Sequence, residues 1–130
     1  MAKNLKVIHF RDGSEITDVT KDIHGSGWLY TWSAVKSNNL CPSGWHVPSI
    51  NEWRSLINSL GSLDYAAGKL EERFSKPGEV SHWWSSTEAE RSQDNERIFY
   101  YNLCLTYSSL FAGFCVSIGW GSQNVRCVRN

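Results

Sequence analysis

The sequence predicts an α+β domain in which helix and antiparallel sheet share one core, and three observations carry that prediction. The chain has 130 residues, enough for one ordinary domain and too few for two. A capped amphipathic helix opens at Ser49. A 28-residue run, Ile98 to Val125, holds no Asp, Glu, Lys, Arg or His, and two segments inside it alternate with period two. Basic and acidic residues balance at 13 each, so no net field steers the chain toward nucleic acid or an acidic membrane surface. Four cysteines are too few for a disulfide-built miniprotein, and a chain of this length buries a core without metal or staples.

Taken in order, Leu5–Phe10, a turn at Asp12-Gly13 and Ile16–Val19 read as a small hairpin. Gly25-Ser26-Gly27 is a loop that leads into an aromatic cluster of Trp28, Tyr30 and Trp32. Ser49-Ile50-Asn51-Glu52 is a capping box: the Ser49 hydroxyl accepts from the Glu52 amide, and the Glu52 carboxylate reaches back to the Ser49 amide. Ile50, Trp53, Leu56, Ile57 and Leu60 then recur on one helical face, with Gly61 placed as terminator. Asn51, Arg54, Ser55 and Asn58 face water, so this helix lies on the core and carries no chemistry. Leu63–Phe74 reads as a second short helix weakened by Gly68, and Lys76-Pro77-Gly78 as a turn. His82–Thr87 is strand-like, and Glu88–Arg97 reads as a charged loop.

Inside the uncharged run, Phe99, Tyr101, Leu103 and Leu105 alternate with Tyr100, Asn102, Cys104 and Thr106. Phe114, Val116, Ile118 and Trp120 alternate with Gly113, Cys115, Ser117 and Gly119. Joined near Tyr107–Ala112, the two segments form an antiparallel pair with one face on the core. Val125–Val128 is expected as a closing strand. A membrane span is excluded, because Asn102, Thr106, Ser108, Ser109, Ser117, Ser122, Gln123 and Asn124 leave no apolar core of ~20 residues. The N-terminal stretch has no apolar h-region, so no signal peptide is read in this chain. The expected locations are the cytoplasm, a phage virion, or a cell surface reached through another component.

The strings LYTWSA (29–34), LCPSGWHVPSINEW (40–53), AGKL (67–70), WWSSTE (83–88) and VRCV (125–128) resemble the Fibrobacter succinogenes major paralogous domain. The resemblance covers residues 28–128, with residues 1–27 as hairpin and lead-in to a single domain. It implies a C-type-lectin-like fold, with a twisted antiparallel sheet, two or so helices and long C-terminal loops. It also implies a pairing of Cys41 with Cys127. Spacing alone leaves two free buried cysteines equally open.

Several variable proteins of diversity-generating retroelements share this lectin-like fold and carry a charge-poor rewritten segment near the C-terminus. Codons of the form NNC or NNT encode Phe, Ser, Tyr, Cys, Leu, Asn, Thr, Gly, Val, Ile and Ala but never Lys, Glu, Gln, Met or Trp. Most of 100–121 fits that alphabet, with Trp120 the exception. Gly119–Asn124 departs from the Asn-rich stretch that this family commonly places before its last strand. The resemblance therefore implies a diversified ligand surface formed by Tyr100, Asn102, Cys104, Thr106, Ser108, Ser109, Phe111, Gly113, Cys115, Ser117, Gly119 and Trp120.

Catalytic readings are weaker. Ser85, Ser86, His82 and Asp94 name a hydrolase set, but no Gly-x-Ser-x-Gly elbow accompanies them. Cys41, His46, Cys104, Cys115 and Cys127 lack zinc-ligand spacing, and His46 is expected to donate to a backbone carbonyl. Cys104 and Cys115 invite comparison with the formylglycine-generating oxidases of the lectin-like superfamily, without a local motif to support it. The Glu-Pro-Asn, Gln-Pro-Asp and Trp-Asn-Asp strings of calcium-dependent lectins are absent, and Glu88, Glu90, Asp94 and Glu96 read as a solvated loop rather than a cation site. Trp28, Trp32, Trp45, Trp53 and Trp84 are assigned to the core, Trp83 stays open, and Trp120 is the tryptophan assigned to function. The expectation is a non-enzymatic module without cofactor, presenting residues 98–123 to a protein or glycan ligand. No nucleic-acid or membrane partner is expected. A carbohydrate-binding module, or a structural, oligomerising module of a secreted or phage-borne assembly, is the alternative.

Overall fold

The computed structural model describes residues 4–21, 27–59, 80–91, 98–106, 111–118 and 121–130. Its elements are β1 (Thr20–Lys21), β2 (Trp28–Thr31), α1 (Trp32–Lys36), β3 (Trp45–His46), α2 (Ile50–Ser59), β4 (Val80–Arg91), β5 (Ile98–Thr106), β6 (Phe111–Ile118), β7 (Ser122–Gln123) and β8 (Val128–Arg129). The architecture is α+β, as the sequence predicts. Sheets run β1-β2-β7, β3-β8 and β4-β5-β6, antiparallel throughout. The expected second helix over 63–74, Gly61, Gly68, the 76–78 turn and the Gly25-Ser26 part of the loop lie outside the described residues.

The N-terminal hairpin forms around the expected turn. The Phe10 amide donates to Ser14 O, the Ile16 amide to Ile8 O, and His9 bridges Glu15. Asp12 Oδ1 accepts from both the amide and the hydroxyl of Ser14. Those bonds hold the Asp12 carboxyl below its ordinary pKa. The alternation then sorts the segment, with Ile16 in the core and Ile8 facing water.

α2 begins where its capping box places it. The Glu52 amide donates to Ser49 Oγ at 3.2 Å, and the Ser49 amide donates to Glu52 Oε2 at 2.8 Å. Such a cap contributes about 1 kcal/mol. Ile50, Trp53 and Ile57 are buried while Asn51, Arg54, Ser55 and Asn58 are exposed. α1 was not legible in the sequence, since five residues give no periodicity to read. It is held by Trp32, Ala34 and Val35, all buried.

The core gathers Tyr30, Trp32, Val35, Leu40, Val47, Trp84 and Val125, with Trp28 and Trp45 half-buried against it. Trp53, Trp83 and Trp84 are wholly buried, so Trp83, left open by the sequence, is a core residue here. The indole N–H groups of Trp53 and Trp84 reach the carbonyls of Trp84 and Tyr30 at 3.2 and 2.6 Å. The indole of Trp83 donates to Asn4 Oδ1 at 2.8 Å, with the Arg126 guanidinium 5.4 Å above its ring. The Tyr30 hydroxyl donates to Val7 O and accepts from the Val7 amide, and burial pushes its pKa up to about 12. Gly27 is needed where it stands: a Cβ there would come within 2.8 Å of Asn4 Cβ and 3.3 Å of Leu5 O.

Cys41 and Cys127 are joined, with Cα atoms 6.0 Å apart. The bridge links the turn before β3 to the segment before β8, and the β3–β8 ladder continues from it. In that turn the Trp45 amide donates to Pro42 O and Gly44 sits at φ +83°, a conformation that favours glycine. The closing strand is shorter than expected. Asn4 bridges Arg126, and regular pairing resumes only at Val128.

Candidate recognition face

β5 and β6 carry eight of the residues assigned to ligand binding, and β4 pairs with β5 beside them. β5 and β6 pair without a break over eight positions, from Phe99 opposite Ile118 to Thr106 opposite Phe111. Residues directly opposite each other share a face of a sheet. One face therefore carries Tyr100 with Ser117, Asn102 with Cys115, Cys104 with Gly113, and Thr106 with Phe111. These are eight of the twelve assigned residues. Ser108, Ser109, Gly119 and Trp120 lie outside the described residues. The other face carries Phe99, Tyr101, Leu103, Leu105, Ala112, Phe114, Val116 and Ile118, the more apolar set.

β4 extends the first face with His82 opposite Cys104, Trp84 opposite Asn102 and Glu88 opposite Tyr100. The expectation of a charged loop from Glu88 is corrected here, because the strand runs on to Arg91. Register shifts between Trp84 and Glu88 and between Glu88 and Arg91 interrupt the ladder along this charged stretch, whose composition made it read as loop. Asp94 and Glu96 lie outside the described residues.

Burial divides this face. Trp84 is wholly buried and Cys104 is 3% exposed, while Glu88 is exposed. Cys104 is therefore buried within the chain, unlike Glu88 on the same face. It is disulfide-bonded, and its Sγ lies 3.3 Å from His82 Nδ1. The physical reason is β4's position. Trp84 on one side and Trp83 and Ser85 on the other are all buried, so the middle of the strand is covered on both faces. The end that carries Tyr100 and Ser117 registers instead with exposed Glu88.

His46 differs from expectation too. Its ring bonds to the Glu52 carboxylate and to the Asn130 side chain, not to a backbone carbonyl. The sequence held one usable signal: a capping-box glutamate spends one oxygen on the cap and leaves the other for a neighbour. Among the described residues no group of three or more His, Cys, Asp or Glu is arranged to hold a metal ion. No helix among them is long and apolar enough to cross a membrane.

The family model described as Fibrobacter succinogenes major domain matches residues 1–73. That span covers the hairpin, β1 to β3, α1 and α2, and stops before β4. It also differs from the span of the motif resemblance, since WWSSTE and VRCV fall beyond it. No curated protein and no solved structure matches the chain.

Proposed function

Since the chain belongs to the Fibrobacter succinogenes major domain family, we propose that it is a non-enzymatic ligand-binding module on a C-type-lectin-like scaffold. Its recognition surface is drawn from residues 98–123 and centred on the end of the strand pair at Tyr100 and Ser117. The observation that carries this reading is the register. It gathers Tyr100, Asn102, Thr106, Gly113 and Ser117 on one face of a strand pair that contains no charge. Tyr, Ser, Gly and Asn suit adaptable recognition, because Tyr offers area at low entropic cost and small polar groups adjust their hydrogen bonds.

On this reading the segment is a diversified region, and the protein is the variable partner of a diversity-generating retroelement. Sequencing the encoding locus tests this. A nearby copy of the stretch for residues 100–121, differing mainly at adenines and accompanied by a reverse transcriptase gene, is the expected result. Its absence removes diversification and leaves a fixed binding face.

The absence of charge across residues 98–118 favours a second reading, in which the face is closed over in an oligomer. Light scattering separates the two: a dispersed monomer supports recognition, and a tight oligomer supports scaffolding.

A further inference from the structure

Away from the strand pair, one side-chain cluster ties three distant stretches together. His46 lies in β3, Glu52 in the first turn of α2, and Asn130 directly after β8. His46 Nε2 is 2.7 Å from Glu52 Oε1, and Nδ1 is 2.6 Å from Asn130 Oδ1. Glu52 is fixed from behind, since its other oxygen accepts from the Ser49 amide. Asn130 is fixed through its own amide, which donates to Gly44 O at 2.9 Å.

Both oxygens that face the ring are acceptors. A neutral imidazole carries one N–H and can serve only one of them, whereas an imidazolium serves both. We infer that His46 is a protonation-dependent clasp: charged, it holds the end of β8 against the capped start of α2, and neutral, it releases one of the two bonds.

The surrounding charges fit this role. Arg129 of β8 places its guanidinium 5.4 Å over the Trp45 ring, and Arg54 of α2 donates to Asn51 Oδ1. Glu52 is the carboxylate in salt-bridge contact with the ring, and the positive end of α2 steadies it. The bonds to Asn130 and then Glu52 raise the His46 pKa above its ordinary 6.5. For Glu52, burial favours the neutral acid, but the Ser49 amide and His46 outweigh it and hold the pKa below its ordinary 4.5.

The two contributions have opposite signs. That of His46 is complete below 6.5 and is lost as pH rises through its raised folded value. That of Glu52 is complete above 4.5 and is lost as pH falls through its lowered folded value. Both contributions are therefore complete between 4.5 and 6.5, and the clasp opens as pH rises through the raised value of His46.

Nuclear magnetic resonance of the full chain tests this, following the ring nitrogens of His46 and amide exchange of Asn130 against pH. Below a midpoint lying above 6.5, both ring nitrogens should carry protons. Above it, the protection factor of the Asn130 amide should fall roughly two- to fivefold, a modest loss because the cluster is partly exposed. Glu52→Gln keeps an oxygen for the Ser49 amide and should move the midpoint down. His46→Gln should make protection at Asn130 independent of pH. A midpoint at or below 6.5 would mean that the Asn130 side-chain carboxamide is turned to donate its NH2 to a neutral ring, and it overturns the clasp. A midpoint unmoved by Glu52→Gln overturns it equally, as does flat protection in the unaltered chain.

Discussion

Replacing both Cys41 and Cys127 with alanine is expected to lower stability by roughly 4 kcal/mol, within a usual range of about 2–5 kcal/mol for a native bridge. The residues it joins are 86 apart, so the closed loop takes in nearly everything between the first helix and the last strand. Freeing a loop of that length restores much of the unfolded chain's entropy. Both sulfurs also sit in the core, where Cys41 is 4% and Cys127 1% exposed, so the alanines leave small voids. The melting temperature should fall by about 10–15 °C. The double variant is a better probe than a reductant, because Cys104 is disulfide-bonded too and would be reduced alongside. A fall of only a few degrees would show that the β3–β8 ladder and the core hold the two ends together without the bond.

Trp84→Ala is the second large effect, with an expected cost of about 3–5 kcal/mol. The side chain is wholly buried, meets Trp32 edge-on at 5.6 Å between ring centroids, and donates its indole N–H to Tyr30 O at 2.6 Å. Truncation opens a cavity between β4, α1 and β2 and leaves the Tyr30 carbonyl without that donor. Trp84→Phe separates the two contributions, since it keeps most of the apolar volume and loses the hydrogen bond. It should cost about 1–3 kcal/mol. Chemical denaturation of both variants checks the ratio. Equal losses would assign the effect to the hydrogen bond, and a near-neutral Phe variant would assign it to packing.

Features with a local cause were legible in the sequence. The start of α2 followed from Ser49 and Glu52, because a capping box is satisfied within four residues. The β5–β6 pair followed from period two, and the turn at Asp12-Gly13 from its residues. What required tertiary structure was not legible. α1 is too short to show a period, and the clasp at His46 depends on β8 returning to β3. The inward face of the strand pair was hidden for a related reason. Trp83 and Trp84 are adjacent and both wholly buried, so β4 is covered on both sides and alternation cannot sort it. The burial of Cys104 was hidden for that reason, whereas the neighbouring Tyr100–Ser117 end, where we place the proposed recognition surface, registers with exposed Glu88.

The central claim is that a fixed scaffold tolerates rewriting of one face of the strand pair. Yeast display of two libraries measures this without knowledge of the natural ligand. In the first, the codons for Tyr100, Asn102, Thr106, Ser108, Ser109 and Ser117 are replaced by NNC. In the second, those for Phe99, Tyr101, Leu103, Leu105, Phe114 and Val116 are replaced in the same way. The account predicts that most clones of the first library are displayed folded, near the level of the parent, while the second library largely collapses. Equal display of the two libraries, or collapse of the first alone, would contradict it.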